Sequence, residues 1–138
     1  MRCVILQPSY LPWRGYFHQI ARADLFVFYD DVQYDRHGWR NRNRIRTPEG
    51  TQWLTVPIRS RGRFAQRILE TEIDETQHWR RRHLSALRCH YANAPHFERL
   101  FPWFEEVLAR PGERLADLCI ETTIAIARTL GCRTRFLR

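Results

Sequence analysis

The amino-acid sequence predicts an α/β protein with a mostly parallel sheet, an N-terminal βαβ unit and a helical C-terminal half. Three observations carry that expectation. Two short continuous apolar runs, Cys3–Gln7 and Leu25–Tyr29, flank a segment with helical spacing. Runs this short suit parallel strands covered on both faces better than helices. From about residue 74 onward, apolar residues recur at three- and four-residue intervals, as in amphipathic helices.

The elements follow in order. Residues 3–7 read as a buried first strand. Pro8 and Pro12 then impose an irregular loop, because each fixes its own φ and biases the preceding residue toward extended backbone. Gly15 to Ala23 reads as a short helix with Phe17, Ile20 and Ala21 on one face, and Leu25 to Tyr29 as a second strand. Strand, loop, helix and strand make a βαβ unit, whose crossover is right-handed. Residues 39–46 alternate, placing Arg40, Arg42, Arg44 and Arg46 on one face of an extended strand and Asn41, Asn43 and Ile45 on the other.

Pro48-Glu49-Gly50 is a turn, 53–58 a third strand, 59–66 a basic loop around Gly62, and 67–73 a further strand. Asp74 with Gln77 predicts a capping box opening a helix that runs to about Asn93, with Trp79, Leu84, Leu87 and Tyr91 inward. Pro95 suits the first turn of the next helix, which holds its spacing from Phe97 to Leu108 and is expected to kink at Pro102. A last helix, about 113–130, buries Leu115, Leu118, Thr122, Ala125 and Ile126. Gly131 closes it, and Cys132 to Leu137 form a final strand. Together these describe one Rossmann-like domain over 1–138, with a motif-bearing region at 1–65 and a helical region at 74–131.

Composition narrows the function. At 138 residues, 43% hydrophobic and 28% charged, the chain has globular rather than disordered character. No apolar run approaches the ~20 residues that span a bilayer, and the first residues are too short an apolar stretch for a signal peptide. The four cysteines, Cys3, Cys89, Cys119 and Cys132, form no CxxC pair and read as small core residues of a reduced, cytoplasmic protein without a zinc site. All 23 basic residues are arginine, which excludes lysine Schiff-base chemistry and a P-loop lysine. Nine arginines and one acid, Glu49, lie between Arg36 and Arg67, so this quarter of the chain carries the whole net charge of +8. Trp39, Trp53, Asn41, Asn43 and Phe64 are interleaved with that charge, which points to an anion-binding surface.

Three constellations could carry chemistry. The first, Gln7 to Phe17, lies between the carboxyl end of the first strand and a helix amino terminus, where open parallel sheets hold ligands. There Gln7, Ser9 and Tyr10 offer hydrogen bonds and Gly15 permits close backbone approach. The absence of GxGxxG argues against a dinucleotide site. The second is Asp30-Asp31-Val32-Gln33-Tyr34, whose carboxylates could act as a base or hold Mg²⁺. Because neighbours on a strand point to opposite faces, only one of Asp30 and Asp31 is expected to face a ligand. The third is Trp39 to Arg44, where Arg42, and Arg46 beyond it, could grip phosphate or carboxylate bidentately. Of the six histidines, His18 and His78 are the two to watch.

The string Ile5-x-Gln7-Pro8-x-Tyr10-x-Pro12-Trp13-x-Gly15-Tyr16-Phe17 resembles the WbqC-like proteins. So do Asp30-Asp31-Val32-Gln33-Tyr34, Trp39-x-Asn41-Arg42-Asn43-x-Ile45, Trp53-Leu54-Thr55-Val56-Pro57, His78-Trp79, Tyr91 with Ala94-Pro95, and Leu130-Gly131. The resemblance implies a bacterial protein of lipopolysaccharide O-antigen or other surface-glycan biosynthesis, and a transferase acting on an activated sugar or amino-sugar. The family's members usually continue beyond the position of Arg138, so the resemblance implies either a short form or a fragment of a longer protein. Cys119 stands where the family often has asparagine. A looser, fold-level likeness to nucleotidylyltransferases runs from Gly15 to Phe26, with Tyr16 in place of their phosphate-facing histidine.

The expected site is then Gln7, Tyr10, Trp13, Gly15, Tyr16, Gln33, Trp39, Asn41, Arg42, Asn43 and Trp53 for the ligand, a phosphorylated compound or nucleotide-sugar, with Asp30 or Asp31 as base. Two rivals remain: a nucleic-acid-binding module that uses the Arg36–Arg67 block with Trp39 and Trp53 as platforms, and a non-catalytic partner in a glycan-assembly complex. A final strand at a sheet edge would also allow a homodimer.

Overall fold

Alternation of large apolar side chains in the two short N-terminal runs builds a small parallel sheet. The structure, a computed structural model, describes residues 1–110 and 112–138. Strands β1 (Cys3–Leu6), β2 (Leu25–Phe28) and β5 (Arg135–Leu137) pair in the order β1-β2-β5, all parallel. Helix α1 (Arg14–Arg22) joins β1 to β2, which gives the βαβ unit. The register sets Cys3 against Leu25 and Leu25 against Arg135. One sheet face carries Val4, Leu6, Phe26, Phe28 and Phe136. It packs on Tyr16 and Ile20 of α1 and on Ile120, Ile124 and Ala127 of α4 (Leu115–Thr129).

The other face corrects the expectation of strands covered on both sides. Both helices lie on the same side, so Cys3 and Leu137 are exposed, Ile5 is 58% exposed, and Leu25 and Val27 are half-buried. β1 is therefore an edge strand with one open face rather than a buried core strand, and the reading of all four cysteines as core residues is corrected with it: Cys3 and Cys89 are exposed, Cys132 is half-buried and Cys119 alone of the four is buried.

The alternating segment forms a separate antiparallel hairpin of β3 (Arg42–Thr47) and β4 (Gly50–Thr55). Pro48 and Glu49 make its two-residue turn, and Gly50 has φ +138°, a conformation that glycine adopts without strain. Residues 67–73 do not form the expected strand. Ile68–Glu70 is a short 3₁₀ helix, because Glu70 accepts from the Arg67 backbone N–H and guanidinium, and Thr71 donates to the Arg67 carbonyl. These local bonds displace a ladder.

In the second half, Asp74 accepts from Thr76 and from the Gln77 side chain, but its own N–H donates to the Pro57 carbonyl, so the expected capping box is not closed and Asp74 caps only the 3₁₀ turn Glu75–Gln77. His78, at φ +48°, breaks the helical path, and α2 (Trp79–Tyr91) begins after it. Helix α3 (Phe97–Ala109) runs through Pro102. At the end of α4, Gly131 (φ +82°) donates to the Arg128 carbonyl and Cys132 to that of Ala127, which closes the helix.

The larger core gathers Tyr10, Val56, Ile68, Trp79, Leu108 and Leu115. At its centre the Tyr10 hydroxyl and His83 Nδ1 are 2.9 Å apart, and His83 Nε2 is 3.2 Å from the Thr55 carbonyl oxygen. That carbonyl can only accept, so Nε2 carries the proton and Nδ1 accepts from Tyr10. Leu115, Leu118 and Cys119 place one end of α4 in this core, and Ile120, Ile124 and Ala127 join the rest to the sheet.

The last strand is clipped across the sheet. Arg138 Nε donates to the buried Asp30 carboxylate at 2.6 Å, and its Nη1 donates to Asp117 at 2.6 Å. Arg138→Ala is expected to cost about 2–3 kcal/mol, below the full cost of breaking a buried pair because Arg138 itself is half-exposed. Urea titration of that variant measures the loss. Pairing it with Asp30→Asn should recover part of it, since no buried charge is then left alone.

Candidate functional site

The carboxyl ends of β1 and β2, the first turns of α1 and the chain leading into β3 enclose a cleft of about 640 Å³. Ile5, Leu6, Tyr29, Trp13 and Trp39 give it apolar and aromatic walls; Gln7, Ser9, Gln19, Asn43 and Arg40 supply polar groups. Large apolar walls with a few convergent polar groups are the usual make-up of a small-molecule site.

Each wall has a local cause. Trp13 precedes α1 and is 67% exposed, and its indole lies back across Gly15. A Cβ at Gly15 would stand 2.0 Å from that ring, so the glycine makes room for the indole rather than for a ligand's approach to the backbone. The Tyr16 hydroxyl donates to the Gln7 carbonyl at 3.0 Å and ties α1 to the end of β1. Asn43 Nδ2 donates to the Leu11 carbonyl at 2.5 Å, and the Tyr10 amide donates to the Arg40 carbonyl at 3.0 Å. The proline-stiffened loop is thereby fixed to the hairpin.

Arg40 is the charged group of the cleft. It is half-buried, donates to the Pro8 carbonyl at 3.4 Å, and forms no ion pair with a carboxylate among the described residues. Burial holds its guanidinium below the usual arginine range. Burial also raises its ionisable neighbours: the Tyr16 hydroxyl and the Cys119 thiol rise well above their ordinary values, and Tyr34 rises to about 12. All three are neutral at pH 7; Asp35 is the acidic group that acts on Arg40, and it forms no ion pair with it, so Arg40 brings a positive charge to the wall with no carboxylate in direct contact.

Among the expected ligand residues, the structure brings Gln7, Trp13, Tyr16, Trp39 and Asn43 together at the cleft, with Gly15 beneath Trp13. The others stand elsewhere. Tyr10 is fully buried in the larger core, where burial pushes its hydroxyl pKa up. Asn41 is buried and donates to the Val56 carbonyl at 2.8 Å. Gln33 donates to the Phe64 carbonyl. Arg42 donates to the His37 and Gly38 carbonyls and lies over Trp53 on the outer face of the hairpin. Asp30 is held by Arg138, and exposed Asp31 by Arg67. The two carboxylates differ as expected, one buried and one exposed, yet neither lines the cleft. His18 is exposed, and the buried histidine is His83. Among the described residues no three His, Cys, Asp or Glu side chains gather as a metal-ligand set, and no helix is long and apolar enough to cross a membrane.

Sequence reasoning did not assign the cleft's Arg40, Gln19 or Tyr29. Alternation grouped Arg40 with Arg42, Arg44 and Arg46, but β3 begins at Arg42. Residue 40 lies in the preceding bend, so the strand rule does not fix its direction.

Comparison with known proteins is consistent over the chain. The model of the WbqC-like protein family matches residues 7–138. A Mycobacterium tuberculosis (strain ATCC 25618 / H37Rv) protein described as "Uncharacterized protein Rv1507c" is 44% identical over 135 residues, covering 97% of this chain. This chain spans 58% of that relative's length. No solved structure matches.

Proposed function

The chain belongs to the WbqC-like protein family, and on that premise we propose that it takes part in surface-polysaccharide biosynthesis by holding a phosphorylated or nucleotide-activated sugar in the cleft, as a transferase or its ligand-binding part. The observation that carries this reading is Arg40: a half-buried guanidinium without a carboxylate partner, set among Trp13, Tyr29 and Trp39. A cation held there is costly unless an anion joins it, and a planar fork suits phosphate oxygens. Aromatic walls suit the flat base or the apolar faces of a sugar ring.

Calorimetric titration with a panel of nucleoside-diphosphate sugars, with and without Mg²⁺, tests the reading. Saturable binding of one of them is expected. Arg40→Lys should weaken it by roughly 1–3 kcal/mol through loss of the bidentate fork. Arg42→Lys should change it little, since Arg42 lies outside the cleft. Wild-type affinity in the Arg40 variant would remove the basis of the proposal.

A further inference from the structure

The outward face of the hairpin is unlike an ordinary solvated strand face. The register sets Arg42 opposite Thr55, Arg44 opposite Trp53 and Arg46 opposite Thr51. None of these six side chains is acidic, whereas a face built only for solubility mixes both signs of charge. The Arg42 guanidinium lies 4.7 Å from the Trp53 ring centroid. That of Arg44 lies 5.4 Å from Trp53 and 5.6 Å from Trp39, and the two indoles are 5.3 Å apart. On the other side Arg42 is bonded to the carbonyls of His37 and Gly38, in the loop from which Arg36 reaches over Phe64 at 4.7 Å.

Phe64, Arg36, Arg42, Trp53, Arg44 and Trp39 thus form one connected strip of rings and cations. Its rings stay open to solvent: Trp39 is 43%, Trp53 46% and Phe64 72% exposed. None of its three arginines pairs with a carboxylate among the described residues.

A guanidinium lying on a ring is held in place with its N–H edges directed away from the ring. Arg42 donates Nε and Nη2 to the Gly38 and His37 carbonyls and Arg36 donates Nη2 to the Ser60 carbonyl, so the N–H edges left to grip phosphate oxygens are chiefly those of Arg44, while the outer plane of each guanidinium can stack a base. The strip interleaves flat groups with cations. A single nucleic-acid strand alternates flat bases with anions, whereas a duplex hides its base faces. We propose that this strip binds single-stranded nucleic acid without sequence preference. The proposal rests on the outer face of the hairpin, which shares Trp39 with the cleft; its test substitutes Trp53 and Arg44, which do not line the cleft.

Fluorescence anisotropy with a labelled oligothymidylate and oligouridylate of about twelve nucleotides tests it, at salt from about 50 to 200 mM. Wild-type protein should bind both with a dissociation constant of the order of 10 µM or below at the lower salt, weakening steeply as salt rises. Trp53→Ala and Arg44→Ala should each weaken binding about ten-fold, and Trp53→Phe should restore most of the loss where Trp53→Leu does not. Arg99→Ala, an exposed charge on α3, should leave binding unchanged. The side chains altered on the strip are exposed, and circular dichroism melts confirm that each variant is folded. The proposal fails if the wild type does not bind, or if Trp53→Ala and Arg44→Ala bind as the wild type does. It fails equally if a duplex, polyphosphate or an acidic polysaccharide of matched charge binds as tightly, for then charge alone is read.

Discussion

Trp79→Ala is expected to lower the unfolding free energy by about 3–5 kcal/mol, as truncation of a large buried aromatic does. Trp79 is fully buried. Its ring meets Tyr10 edge-on at 6.2 Å and His83 at 5.1 Å. Tyr10 belongs to the cleft loop, and Trp79 and His83 to α2, so the indole joins the motif-bearing region to the helical half. The substitution therefore removes a junction as well as filled volume. Trp79→Phe should lose much less, because the indole Nε1 has no hydrogen-bond partner and its removal costs none. Urea denaturation followed by circular dichroism gives both values; a loss under about 1 kcal/mol for the alanine variant would show that the two halves are held by other contacts.

Stability should fall by about 3 kcal/mol between pH 6.5 and 4, through His83 alone. Burial lowers the His83 pKa from 6.5 to about 4, against the pull of the Thr55 carbonyl. Above pH 6.5 the imidazole is neutral in both folded and unfolded chains, and stability is complete. As the pH drops through this window the unfolded chain takes up a proton that the folded chain refuses. Below about pH 4 both are protonated and this loss ends. Glu70, held down to about 2 by Arg67, acts in a different window, because its contribution is lost only as the pH falls from 4.5 through 2. Unfolding free energies measured at intervals from pH 7 to pH 4 test the expectation, with His83→Gln as the comparison. An equal slope in that variant would assign the loss to other groups.

Much of the fold was legible because short apolar runs, prolines and helical spacing are local signals. β1, α1, β2 and the four-helix count follow from them, as does the closure at Gly131. The hidden part was non-local. Continuous apolar runs promised strands covered on both faces, yet only the packing of α1 and α4 decides which faces are covered. The cleft was half legible. Gln7, Trp13, Tyr16, Trp39 and Asn43 sit where motif position placed them. Tyr10 and Asn41, equally polar in the sequence, turn inward to His83 and Val56. Arg40 escaped notice because it sits one step outside the strand whose alternation grouped it with its neighbours. No pattern of residue types marks which of four alternating arginines turns inward.

The order of the sheet also bears on how the chain reaches its native state. Central strand β2 pairs on one side with a strand about twenty residues earlier and on the other with one about a hundred residues later. The clip from Arg138 to Asp30 closes the same interval. Contacts of such long span are slow to form, because loop-closure entropy is lost before they reward it. On a translating ribosome β1, α1 and β2 emerge first, and Phe26 and Phe28 must wait for α4 and Phe136 to cover them. During that wait β2 presents an unpaired apolar edge, a period of exposure to aggregation or chaperone capture. Completion of the sheet therefore waits on residues about a hundred positions after β2.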